Sequence, residues 1–164
     1  MTTMKLFSIA LPVLLGVGLL AAQGGALRGT QPTDLGVKDG RLKAPSATRN
    51  SVSSQAALYP EHPHKGYASI EPLPLKNRDA VASLTALSKA LQSVLGVTVV
   101  DQQPDYVYAQ AQTRWLNFVD DMEFWANPAT GVVELRSASR LGREDLGANR
   151  QRMEAVRVAY LAQL

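Results

Sequence analysis

Hydrophobic residues along this chain recur first at helical spacing and then at strand spacing. Over residues 77–96, Val81, Leu84, Leu87, Leu91, Val94 and Leu95 return every three or four positions, the period of one helix face. Asn77 is suited to cap this helix, Asp79 suits its positive end and Gly96 its stop. From residue 97 the period shortens to two. Strands are expected at 97–101, 106–115, 117–125 and 132–140, with Pro128 and Gly131 in a hairpin loop between the last two. A short strand around Ala68–Glu71 comes earlier, confined to a sheet edge by Pro72 and Pro74. A last helix begins near Asn149, a suitable cap, and turns Met153, Val156, Tyr160 and Leu164 to one side. Strand, helix, four strands and helix in that order predict an α+β fold. It is a mostly antiparallel sheet of about five strands with two helices packed on one face.

Upstream the pattern changes twice. Residues 27–66 are rich in Gly, Pro, Ser, Thr and Asp and read as an irregular lead-in or linker, followed by a single α+β domain over 67–164. Residues 6–22 are an unbroken apolar run behind Lys5, with small residues after it. This is the layout of a signal peptide over residues 1–26, cut after Ala26. The alternative is an uncleaved membrane anchor over residues 5–22, at the short edge of what spans a bilayer and interrupted by Pro12. Either way the remainder is expected to be exported, to a periplasm or cell envelope. With no cysteine, a lipid-modified cysteine and any disulfide are excluded. The net charge of +3 with both signs interleaved shows no basic stripe, so nucleic acid is not an expected partner.

The stretch NFVDDMEFW, residues 117–125, is a strand by its apolar residues yet carries Asp120, Asp121 and Glu123. Alternation puts Phe118, Asp120, Met122 and Phe124 on one face, and Val119, Asp121, Glu123 and Trp125 on the other. The partner strand divides into Val133, Leu135, Ser137 and Ser139 against Val132, Glu134, Arg136 and Arg140. Matching the apolar faces sets Phe124 near Leu135, Asp120 near Ser137 or Ser139, and Glu123 or Asp121 across from Arg136. Asp121 and Glu123 are then expected to face solvent and pair with arginine. Asp120 falls on the helix-covered face, where a carboxylate needs partners. Arg150, or the start of the last helix, is the expected partner.

Four phrases occur together: DLGVKDGRL at 34–42, NSVSSQA at 50–56, FVDDMEF at 118–124 and RSASRLGREDLGANRQRM at 136–153. As a set they resemble an uncharacterised bacterial and plastid family, the domain of unknown function numbered 1499, from about residue 34 to the C-terminus. The resemblance implies an envelope or lumenal location and no established activity. Its motifs fall on Asp120, Asp121, Glu123, Arg136, Ser137, Ser139, Arg140, Asp145, Asn149 and Arg150. It also implies a cysteine pair ahead of the domain. Here Ser51 stands at the second position, and Ala44 or Pro45 near the first.

Those ten residues are the candidate binding set. Arginines and serine hydroxyls beside a helix start could hold a phosphate or carboxylate; the same residues could instead be a salt-bridge and capping network locking the helix to the sheet. Asp121 and Glu123, two apart on one face, could serve as acid and base or share a metal. No histidine lies near them in sequence, and Ser137 and Ser139 lack the nucleophile-elbow context. His62 and His64 in the loop EHPH could bind a metal but read more simply as a surface loop. Tyr106, Tyr108, Gln110, Gln112 and Arg114 line the sheet's outer face, which is either open to a partner or covered by residues 34–60. The reading that results is an exported module that binds or supports rather than catalyses. No catalytic residue, metal or cofactor is expected, and an anionic small molecule or an envelope protein is the expected partner. The N-terminal segment gives membrane contact if it is not cleaved. The rival is a hydrolase on an anionic envelope substrate, with Asp121 and Glu123 as the acids and Arg136 and Arg140 holding the anion.

Overall fold

The computed structural model describes residues 21–164, so all but the last two residues of the apolar run at 6–22 lie outside it. Among the described residues six strands form one antiparallel sheet: β1 (Ser51–Ser53), β2 (Leu73–Pro74), β3 (Val97–Gln102), β4 (Tyr106–Gln112), β5 (Val119–Asn127) and β6 (Val132–Ser139). Their order is β1-β6-β5-β4-β3, and β2 lies further along the β1 edge of β6. Helices lying wholly among the described residues include a single turn α1 (Lys65–Ala68) and the two long helices α2 (Ala80–Ser93) and α3 (Ala148–Leu161). The fold is α+β, as the periodicity predicts.

Both long helices cover one face of the sheet. Leu84, Leu87 and Leu91 of α2 and Met153, Val156 and Tyr160 of α3 share a core with Val107, Met122, Phe124, Val133 and Leu135. The strand alternation predicts these sheet residues correctly, and Phe124 pairs with Leu135. The helix ends differ from expectation. Asp79, not Asn77, caps α2, its carboxylate accepting the Ala82 N–H at 2.9 Å; Asn77 takes a left-handed turn at φ 51° instead. Leu95 and Leu164 lie beyond their helices and are exposed. Gly96 follows α2 at φ 79°, where a Cβ would stand 2.6 Å from the Gln112 carbonyl oxygen. Glycine therefore lets β3 start directly beside the end of β4.

The strand expected at Ala68–Glu71 is absent. Pro72 and Pro74 have no N–H to donate, and the carbonyls of this segment go to arginines. Arg150 donates to the Tyr67 and Ser69 carbonyls, and Arg157 to those of Glu71 and Pro72. Two turns apart on α3, these arginines hold the segment along the helix. Only Leu73 and Pro74 reach β6. Residues 113–118, all but Leu116 expected in strands, form a turn, with Asn117 at φ 56°.

The second face of the sheet is covered too. Leu35 and Leu42, from the stretch with no period of its own, pack on Tyr106, Tyr108 and Trp125. From the same region β1 joins the sheet at the free edge of β6. Ser51, where the resemblance implies a thiol, is buried, and its Oγ accepts the Ser46 N–H at 2.8 Å.

Candidate functional site

Each of the three acids of β5 has its own arginine. Glu123 lies opposite Arg136 in the sheet, one of the two facings that alternation allows, with Oε2 3.2 Å from Nη1. Asp121 receives Arg140 in a fork, Nε to Oδ2 at 2.9 Å and Nη2 to Oδ1 at 2.7 Å. Such two-pronged bonds are the strong class. The expectation that these two acids face solvent is overturned: Asp121 is 1% exposed and Glu123 0%. The covering segment seals them, and the Gly36 N–H donates to Glu123 Oε1 at 2.8 Å. Tyrosines from β4 complete the layer. Tyr106 donates to Glu123 at 3.0 Å and Tyr108 to Asp121 at 2.6 Å. Burial first, then the facing carboxylate, push both phenols above their ordinary value, so they remain donors. The bond to Asp121 outweighs burial and raises Arg140 in turn.

Asp120, on the helix side, meets Arg152 rather than Arg150, at 2.7 Å. Arg150 and Arg152 are about 200° apart around a helix of 3.6 residues per turn, so only one can face the sheet end. Asp120 pairs with Ser139 in the register, inside the expected neighbourhood. Asn149 is not the cap of α3; it is a fully buried hub. Its amide donates to the Asn50 carbonyl (3.1 Å), Ser139 Oγ (2.9 Å) and Asp145 Oδ2 (2.8 Å), and its carbonyl accepts from Ser137 Oγ. Asp145 supplies the capping, accepting the Gly147 N–H at 2.9 Å and the Asn149 N–H at 3.0 Å. Tyr67 donates to the same carboxylate. An external anion expected at this helix start thus finds the position filled from within.

Burial alone would push the Asp145 carboxyl up. The bonds from Tyr67, Asn149 and the two N–H groups together outweigh it and hold it below 3.8, its ordinary value. A carboxyl lowered on folding adds stability above that value and loses it as pH falls through the folded-state pKa. Asp145→Asn should therefore be less stable than the natural chain at pH 7. The gap should close as pH falls below 3.8, read by urea denaturation at stepped pH. A gap that holds constant would mean shape, not charge, is what Asp145 contributes.

Where these elements meet, a cleft of about 330 Å³ opens between the β5–β6 end and the start of α3. Phe118, Val119, Leu141 and Leu146 give it apolar walls, and the Asp120–Arg152 pair closes one side. Arg152 keeps 14% side-chain exposure. Among the described residues only its Nη1 is engaged, with Asp120 and, at 3.4 Å, Asn149. A family model described as a protein of unknown function, DUF1499, matches residues 41–159. The chain belongs to the DUF1499 family. No curated protein and no solved structure matches it. The DUF1499 match begins in the covering segment and ends in α3, so all ten candidate residues fall within it.

The fold brings nine of those ten into two layers, Asp121, Glu123, Arg136 and Arg140 under the cover, and Asp120, Ser137, Ser139, Asp145 and Asn149 beside α3. Arg150 turns away to the 67–69 segment. The candidate set left out Arg152, although the start of α3 was an expected partner of Asp120, and it left out the bracing Arg157; both arginines sit beside the apolar stripe that marks the helix. His62 and His64 stand with ring centroids 6.4 Å apart, His62 Nδ1 accepting the His64 N–H.

Proposed function

We propose that this DUF1499 protein is an exported, non-catalytic binding module whose cleft beside α3 takes a small amphiphile. The observation that carries this reading is the cleft itself: apolar walls around a guanidinium with donors to spare. An apolar body fits against Phe118, Leu141 and Leu146, and an anionic end fits at the free donors of Arg152. The hydrolase alternative is less well supported. Asp121 and Glu123 are bound to arginines and lie under residues 35–44, which would have to lift before a substrate touched either. Export rests on the apolar run at 6–22 behind Lys5.

Laurate below its micellar concentration is the probe. Titration calorimetry should show saturable binding to one site. Arg152→Gln should weaken it tenfold or more, since a charge-assisted hydrogen bond contributes about 1.5–3 kcal/mol. Ala148→Phe, changed at an exposed position on the cleft rim, should abolish binding by filling the space. Absence of saturable heat, or binding indifferent to Ala148→Phe, would overturn the proposal.

A further inference from the structure

The described residues carry a concentration of exposed apolar side chains at one end of the sheet. Antiparallel pairing puts the start of β3, the end of β4, the start of β5 and the end of β6 at the same end. Leu95 precedes β3, Trp115 and Leu116 sit in the β4–β5 turn, Leu141 follows β6, and Leu146 precedes α3. Leu146 is 92% exposed, Leu95 93% and Trp115 63%. Scattered single hydrophobics are ordinary; a group of five at one end marks an interaction surface.

The chain itself indicates what lies against that surface. The apolar run at 6–22 ends here. The Asn117 amide donates to the Ala22 and Gln23 carbonyls at 3.3 and 3.2 Å, and the Gln23 amide donates to the Trp115 carbonyl. Further on, Gly29 lies so close to Arg140 and Leu141 that a Cβ would clash. Residues 22–29 therefore run along the domain with no slack between the apolar run and the exposed end. Charge agrees. Arg28, Arg114 and Arg143 are exposed around this end and form no ion pair among the described residues. Arg114 lies over the Trp115 ring at 5.0 Å, while nearby Glu144 is taken by Arg49. Tryptophan and leucine among unpaired arginines suit the headgroup layer of an anionic bilayer.

We infer that this end of the domain rests on the membrane surface, with Trp115, Leu116 and Leu146 in the headgroup layer. The inference builds on the reading of residues 6–22 as a retained anchor. Leu141 and Leu146 also wall the cleft, so the cleft opens toward the bilayer and its amphiphile is drawn from the membrane.

The two tryptophans give the test. Trp115 is exposed and Trp125 is buried under the covering segment, 7% exposed. The full chain is placed in discs of phosphatidylcholine and phosphatidylglycerol whose acyl chains carry bromine, a contact quencher. Trp115 emission should shift to shorter wavelength and be mostly lost. A Trp115→Phe chain, reporting Trp125 alone, should keep its emission. Leu116→Glu with Leu146→Glu should abolish the quenching and leave the melting curve unchanged, because neither residue is in the core. Unquenched Trp115, or quenching indifferent to the double change, overturns the inference. So does burial of Trp115 against a second copy, seen as a crosslinked dimer without lipid contact. Intact mass of the membrane-isolated chain tests the anchor separately. If residues 1–26 are missing, the anchor reading fails, and the processed chain is given the same lipids as vesicles. Quenching there sustains the membrane surface; its absence overturns it.

Discussion

Replacing Arg136 with Met is expected to destabilise the domain by about 3–5 kcal/mol, the range for removing one partner of a buried ion pair. The site leaves little room for compensation. Arg136 is 4% exposed and Glu123 fully buried. Without the guanidinium, Glu123 keeps only the Gly36 N–H and the Tyr106 hydroxyl. Two neutral donors do not replace a charge in a sealed layer, and water cannot reach it without lifting the segment around Leu35 and Leu42. The Ala44 carbonyl loses its donor as well, since Arg136 Nε bonds it at 3.2 Å. The penalty comes from the stranded carboxylate, not from a large intrinsic value of the pair. Glu123→Gln combined with Arg136→Met should therefore recover much of the loss. Urea denaturation of both single variants and the double at pH 7 measures this. A cost for Arg136→Met below about 1 kcal/mol, the value of an exposed pair, would mean the cover is open in solution.

Asn149→Leu comes second, with an expected loss of about 3 kcal/mol or more, because several buried polar groups lose their partner at once and each such group costs about 1–3 kcal/mol. Leucine keeps the approximate shape and helix propensity, so the loss reports hydrogen bonding. Ser137 is fully buried and the Asn50 carbonyl receives the Asn149 amide across from β1. The change therefore uncouples three elements: the start of α3, the end of β6 and the chain entering β1. Hydrogen exchange should show the first turn of α3 opening along with the global loss. A cost within about 0.5 kcal/mol, typical of a surface substitution, would mean the hub is dispensable.

These two residues also show how far the sequence could be read. Alternation left Glu123 or Asp121 across from Arg136, and the structure pairs Glu123 with it. Alternation also predicted that their face is wet, and it is dry. The cover comes from residues 35–44, inside the 34–60 stretch that was the alternative to an open face; having no apolar period, that stretch could not decide between the two. Asn149 stood out as a cap by residue type. The capping fell to Asp145 four positions earlier, because Gly147 turns left-handed at φ 83° and lets that carboxylate reach back to the helix N–H groups. Asp120 was rightly expected to find an arginine at the start of α3, but helix phase chose Arg152 over Arg150. The missing 68–71 strand was lost to two prolines and two arginines, a competition settled by α3 from some 80 residues away.

By itself the sequence determined the α+β class, the antiparallel order of the long strands, which strand residues face the helices, and the acid-arginine facing of β5 and β6. All of these follow from periods of 2 and 3.6 that the backbone imposes on neighbours. Only the tertiary structure decided that both sheet faces are covered, that the acids of β5 are sealed, and that a half-used guanidinium stands in an apolar cleft. Those outcomes depend on chain segments meeting from far apart in sequence, and contacts of that kind leave no period for a local pattern to show.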